Sequence, residues 1–141
     1  MGDPHTREPP SPLVVDGSCD YLRIIPRAVP SADSCLYLDL AGSVDAHSCN
    51  FLRAAVLKAA DSGFLHILLG LHTVDYVSST GVGTLLALLR VLMERNGSLT
   101  IVRPHPKVLT VFQLMHLQTF FPCTDSLEEA VRLLRPLSRD G

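Results

Sequence analysis

The chain has 141 residues, enough to bury one core and about one domain's worth of chain. Twelve basic side chains stand against fourteen acidic ones, a net charge of −2, which leaves no basic excess for gripping a nucleic-acid backbone. The central charge-free stretch, Tyr76 to Leu89, is broken by Ser78, Ser79, Thr80, Gly81 and Gly83, and it falls short of the roughly 20 apolar residues a membrane helix needs.

In chain order, residues 1–13 hold four of the ten prolines among Gly, Ser, Thr and charged residues. That composition predicts a disordered tail. It has no apolar core of a signal peptide, so the expected location is cytoplasmic. The folded domain is expected over 14–136, with 137–141 as a C-terminal tail. Tyr21–Val29 is a first apolar segment, and Pro30 to Ser34 separates it from Cys35–Ala41. There, Leu36, Leu38 and Leu40 alternate with Tyr37 and Asp39, the period of a strand. The two segments are expected to pair as a hairpin. Gly42 to Asp45 reads as a loop.

From Ala46 the period changes. Leu52, Ala55, Val56 and Ala59 line one helical face, and Asp61-Ser62-Gly63 supplies a stop. Phe64–Leu71 is nearly all apolar, as in a central strand covered on both faces. His72 to Ser78 reads as a connecting loop. Val82, Leu85, Leu86, Leu89 and Met93 then repeat at helical spacing as far as Asn96-Gly97. Ser98–Val102 alternates again. Pro104 and Pro106 flank the start of a helix carrying Val108, Phe112 and Met115. Thr119–Phe121 is a candidate short edge strand. Asp125 or Ser126 is expected to cap a last helix with Leu127, Ala130, Val131 and Leu134 inward, and Ser126, three residues before Glu129, has the spacing of a capping box. The fold class predicted is α/β, with about four strands in a mixed sheet (an N-terminal hairpin followed by parallel strands) and about four helices.

Cys19, Cys35, Cys49 and Cys123 include no CxxC pair, so neither a zinc ribbon nor a thioredoxin-type site is indicated. The histidines show no metal-ligand spacing, and His66 reads as a partly buried, hydrogen-bonded residue of a strand. Phe112, Met115, Phe120 and Phe121 read as packing residues, with an exposed part as a candidate dimer or partner surface. Arg132, Arg135 and Arg139 read as a solvated face.

Ser78-Ser79-Thr80-Gly81-Val82-Gly83 stands out. Three consecutive hydroxyls sit at a predicted strand-to-helix junction, at the carboxyl end of the strands of a parallel sheet, where functional loops collect. Unpaired N–H groups and the helix dipole favour an anion there. The plain alternative is an ordinary cap, with Ser78 at the N-cap. Neither GxxxxGK, GxGxxG nor GxSxG is present.

Four stretches, in order, resemble the STAS domain of bacterial anti-sigma-factor antagonists. Leu38 to Asp45 is similar to the family's second strand and its G-[ED]-[LI]-D loop. Leu68 to Leu71 followed by Val74 to Gly83 is similar to its "DLSxVxxxDSSGLG" signature. Asn96 to Val102 resembles the next turn and strand, and Pro106 to Phe121 resembles the helix "VxxxLxxxGLxxxF". The likeness spans about residues 20 to 135.

The resemblance implies a protein that binds an anti-sigma serine kinase and so frees a sigma factor. The kinase phosphorylates the antagonist in this loop, and a phosphatase restores binding. ATP and catalysis belong to the partner, so the chain itself is expected to be no enzyme and to hold no cofactor and no metal. The acceptor position falls on Ser79, with Thr80 as a second candidate. Gly81, Val82 and Gly83 fill the G-L-G positions, and Asp45 matches the acidic residue of the neighbouring loop. Its other reading is an N-cap for the helix from Ala46. Ser78 departs from the family's Asp, an exchange that preserves capping but removes a charge. A STAS scaffold or constitutive antagonist without the switch is one alternative. A nucleotide-binding module is another, although no Lys or Arg lies within Tyr76 to Leu89 to meet a phosphate.

Overall fold

The computed structural model describes residues 17–18, 21–29 and 34–140, with side chains from 21 to 134. The expected tail 1–13 and Cys19 lie outside the described residues.

Strands β1 (Gly17–Ser18), β2 (Leu22–Ala28), β3 (Cys35–Val44), β4 (His66–Val77), β5 (Ser98–Val102) and β6 (Cys123–Thr124) form one sheet in sequence order. The first three pair antiparallel, and β3 to β6 run parallel. Helices α1 (Cys49–Asp61), α2 (Ser79–Glu94) and α3 (Pro106–Leu114) follow β3, β4 and β5, and α4 (Leu127–Asp140) follows β6. The α/β class, the hairpin and the four helices agree with the sequence. Among the described residues the sheet has six strands, with two-residue strands at both edges.

Leu36, Leu38 and Leu40 of β3 point to one face, where they meet Leu52, Val56, Leu85, Val108 and Phe112 of the first three helices. Cys35 and Tyr37 point to the other, against Ala130 and Leu134 of α4. Phe112 and Phe121 stack at 5.9 Å in the larger cluster. Pro26 is tolerated in β2 because, among the described residues, β1 pairs only with Arg23 and Ile24 and leaves Pro26 without a strand partner on that side. Ser126 Oγ accepts from the Glu129 N–H at 3.1 Å, as the capping box predicts, while Glu129 reaches back to the Asp125 N–H at 2.9 Å.

Five boundaries differ from the sequence reading. Gly42–Asp45 is not a loop up to its last residue: β3 runs to Val44, with Gly42 at φ +121°, where a side chain would collide with the Tyr21 carbonyl. His72–Ser78 is also mostly strand, since β4 runs to Val77. Its register against β3 slips twice, between Asp39 and Ala41 and between Gly42 and Ser43. Each slip gives β4 one extra residue, a bulge. The inward positions are therefore Leu69, Leu71, Val74 and Val77, spaced two, then three, then three. A spacing of three does not read as a strand. The helix expected from Ala46 begins at Cys49. Thr119–Phe121 is not a strand: a 3-10 turn occupies Leu117–Thr119, and the edge strand lies at Cys123–Thr124. Helix α4 also continues to Asp140, through residues expected to be a tail.

Cys35, Cys49 and Cys123 are free thiols. Burial pushes the Cys35 thiol up to about 12, so it is not a nucleophile at neutral pH. His66 is the hydrogen-bonded strand histidine expected, with Nδ1 2.8 Å from Ser98 Oγ. Burial lowers its pKa from 6.5. The unfolded chain therefore takes up this proton more readily. The stability that His66 contributes is present above pH 6.5 and is lost as the pH falls through the folded-state value. Urea midpoints measured from pH 7 to about 5.5 are expected to fall for the wild type and to fall less for His66→Gln.

Candidate functional site

Val44 and Val77 are register partners at the ends of β3 and β4, so the turns that follow them lie side by side. In the first turn the Asp45 carbonyl accepts from Ser48 N–H at 3.1 Å and Cys49 N–H at 2.8 Å. Asp45 Oδ1 accepts from the His47 N–H at 2.9 Å. The buried Ser48 hydroxyl donates to the Ser43 carbonyl at 2.7 Å and accepts from the Asp45 N–H. Ser48, not Asp45, is the N-cap residue of α1. Asp45 instead shapes the turn ahead of the helix and stays half-buried at the rim.

The second turn is the hydroxyl run. The Ser78 N–H donates to the Val44 carbonyl at 2.9 Å, which joins the two turns. Ser78 has extended backbone, and its Oγ accepts from the Gly81 N–H at 3.1 Å, an N-cap bond. Its carbonyl accepts from Val82 N–H at 2.8 Å. Gly81 is buried against β3: a Cβ there would overlap the Val44 carbonyl. Val82 is also buried, so these two residues hold the turn from inside. Ser79, Thr80 and Gly83 are exposed, and Gly83 has open space above it. Among the described residues, the Ser79 and Thr80 hydroxyls have no protein hydrogen-bond partner.

The capping bond fixes an expectation for Ser78. Ser78→Ala should cost about 1 kcal/mol in thermal or urea unfolding, whereas Ser78→Asp, an equally good cap, should leave stability unchanged.

Two rim residues escaped the sequence reading. Tyr21, 47% exposed, stacks on His47 at 4.7 Å. Its carbonyl accepts from the Ser43 N–H at 2.9 Å. Ser43 is in turn the register partner of Tyr76, which is 54% exposed. Two exposed tyrosines thus flank Ser43 beside the hydroxyl turn. They are remote in sequence from each other, and only the strand register brings them together.

The expected packing group divides. Phe112 and Phe121 are core, whereas Met115 and Phe120 are exposed, as is Met93 of α2. Phe120 and Met93 line an apolar groove with Leu86 and Leu89. Met93 lies near the far end of α2 from Ser79, along a 16-residue helix of roughly 24 Å. No cluster of metal-ligating side chains occurs among the described residues, and no helix there is long and apolar enough to cross a membrane.

The model of the STAS domain matches residues 27–130. BtrV of Bordetella bronchiseptica, which carries the name of an anti-sigma factor antagonist, is 30% identical over 98 residues, covering 70% of this chain and 84% of BtrV. The crystal structure of an anti-sigma factor antagonist from Mycobacterium paratuberculosis has a TM-score of 0.69 at 22% identity, covering 84% of this chain and 98% of that one. SpoIIAA in its unphosphorylated form gives a TM-score of 0.67 at 24% identity, over 80% of this chain and 96% of SpoIIAA. The phosphorylated form of this Bacillus protein gives 0.62 at 24% identity, over 79% and 99%. At these identities the structures establish a common fold.

Proposed function

The chain belongs to the STAS domain family, and on that premise we propose that it is an anti-sigma factor antagonist, switched by phosphorylation of Ser79. In this reading the unmodified turn docks on an anti-sigma factor and displaces the sigma factor it holds. The anti-sigma factor is itself a serine kinase. It transfers phosphate from ATP to Ser79, and a phosphatase reverses the step. The chain supplies a surface and a hydroxyl, and no catalytic group.

One observation carries the reading: of the two adjacent serines, Ser78 is tied into the helix cap while Ser79 stands exposed, with its hydroxyl free among the described residues. A phosphate on Ser79 would sit in the first turn of α2, where helix N–H groups favour negative charge. Within the chain the modification is therefore well tolerated. Across a closed interface, a group of about −1.5 to −2 charge costs desolvation and repels acidic partners. Ser78 makes the capping bond that an Asp would make, which supports an intact turn despite the missing carboxylate.

Mixing the protein with complexes of each anti-sigma and sigma factor from its own genome tests the reading. Release of one sigma factor into a separate gel-filtration peak is expected. Failure to displace any of them would remove the antagonist assignment.

A further inference from the structure

Helix α2 buries more than one side. Val82, Leu85, Leu88, Leu89 and Leu92 pack into the larger core cluster. Leu86 and Met93, seven residues apart, form a further apolar line on the same helix. The fold covers Leu86 only in part and leaves Met93 exposed. With Leu89 beneath them and Phe120 from the segment after the 3-10 turn, these residues line an open groove. Met93 and Phe120 are each more than half exposed. A single exposed apolar side chain is ordinary, but two lining one apolar groove mark an interaction surface.

The same groove has a charged rim of both signs. Arg90 and Glu94 line it, one helical turn apart, with Arg90 Nε 3.6 Å from Glu94 Oε2. Both side chains are well exposed. The surface therefore offers an apolar knob, an apolar floor, one cation and one anion along a single helix.

That combination is complementary to itself. A two-fold axis crossing α2 near Val91 lays the helix antiparallel to its copy, and residues at equal distances from the axis meet. Met93 then comes opposite Leu89 of the second copy, and Arg90 comes within a helical turn of the second copy's Glu94. The charges close into a ring of alternating sign. A parallel arrangement would instead set like charges side by side. Met93 is flexible enough to seat in a groove of this shape, while the rim charges fix orientation more than they add affinity.

We propose that α2 and Phe120 form the face through which two copies of this chain associate. The face is one 16-residue helix of roughly 24 Å and its border. That is less than the roughly 800 Å² per partner of a standard interface, so the dimer is weak and forms as concentration rises. The axis lies near the far end of α2 from Ser79. It sends the two hydroxyl turns in opposite directions, roughly 36 Å apart along the helices, and both stay open. The inference does not rest on the role of Ser79.

Sedimentation velocity of the full chain from about 10 µM to about 1 mM tests it. A mass rising from 15.3 kDa toward twice that value is expected. Arg90→Glu and Glu94→Arg should each weaken association at least about tenfold, because each gives the ring a single sign. An equimolar mixture of these two variants should associate like the wild type, since opposite charges face one another again. Met93→Glu should stay monomeric. All three side chains are exposed, so circular dichroism should show each variant folded. A wild-type mass of 15.3 kDa at every concentration would overturn the proposal and leave the groove to a different protein. Dimers indifferent to all three variants, or single losses that the mixture does not repair, would overturn it too.

Discussion

Ser79→Asp is expected to weaken binding to the anti-sigma factor at least about tenfold, or 1.4 kcal/mol, while Ser79→Ala binds like the unmodified protein. Ser79 is exposed and makes no side-chain hydrogen bond among the described residues, so truncation to Ala removes nothing seen to hold the turn. Asp at the first turn of a helix is favourable for the fold. Any loss of affinity must therefore come from the partner side, through desolvation and repulsion of the new charge. Isothermal titration of both variants, alongside thermal unfolding, separates the two effects. Equal affinities for Ala and Asp would take Ser79 out of the switch. Asp carries less charge than a phosphate, so tenfold is a lower bound for the modification itself.

Gly81→Ala is expected to destabilise the protein by about 1–3 kcal/mol, although alanine is the better helix former by about 1 kcal/mol. The reason is local. A Cβ at Gly81 would overlap the backbone carbonyl of Val44, which also receives the Ser78 N–H. A backbone atom in a paired strand cannot swing aside as a flexible side chain can. The helix must back away from the strand, stretching the bond that joins the two turns. Gly83→Ala is the control. Nothing lies within 4 Å of a Cβ there, so helix propensity alone decides, and the variant should be more stable by up to about 1 kcal/mol. Gly83 is also exposed next to the hydroxyl turn. The variant should thus combine higher stability with weaker partner binding. Urea unfolding of both variants checks the pair, and loss of stability at both positions would contradict the packing account.

Much of this architecture is legible in the sequence, because the apolar periods of β3, α1 and α2 match what they bury. Leu36, Leu38 and Leu40 alternate and all point into the helical side. The cap at Ser78 and its exposed neighbour Ser79 are legible for the same reason, since hydroxyls ahead of an apolar helical stripe have few other roles. What was hidden depends on pairing. Val74 and Val77 belong to β4 only because bulges restore their facing, and no single-strand pattern encodes a slip against a neighbour. Asp45 and Ser48 are both competent caps, yet Ser48 takes the N-cap position of α1 with its hydroxyl engaged by the Ser43 carbonyl and the Asp45 N–H, so it makes no side-chain capping bond. Tyr21 and Tyr76 become neighbours through Ser43 on the strand between them. Asp39 and His72 come within 3.9 Å of each other beside one of the same bulges.

The most direct test of the central claim is phosphopeptide mass spectrometry after incubating the protein with ATP and each candidate anti-sigma kinase from its own genome. The account predicts one phosphate, on Ser79, that disappears in Ser79→Ala. A stable complex with a partner kinase and no phosphate on residues 78–80, or phosphate confined to Thr80, would contradict it.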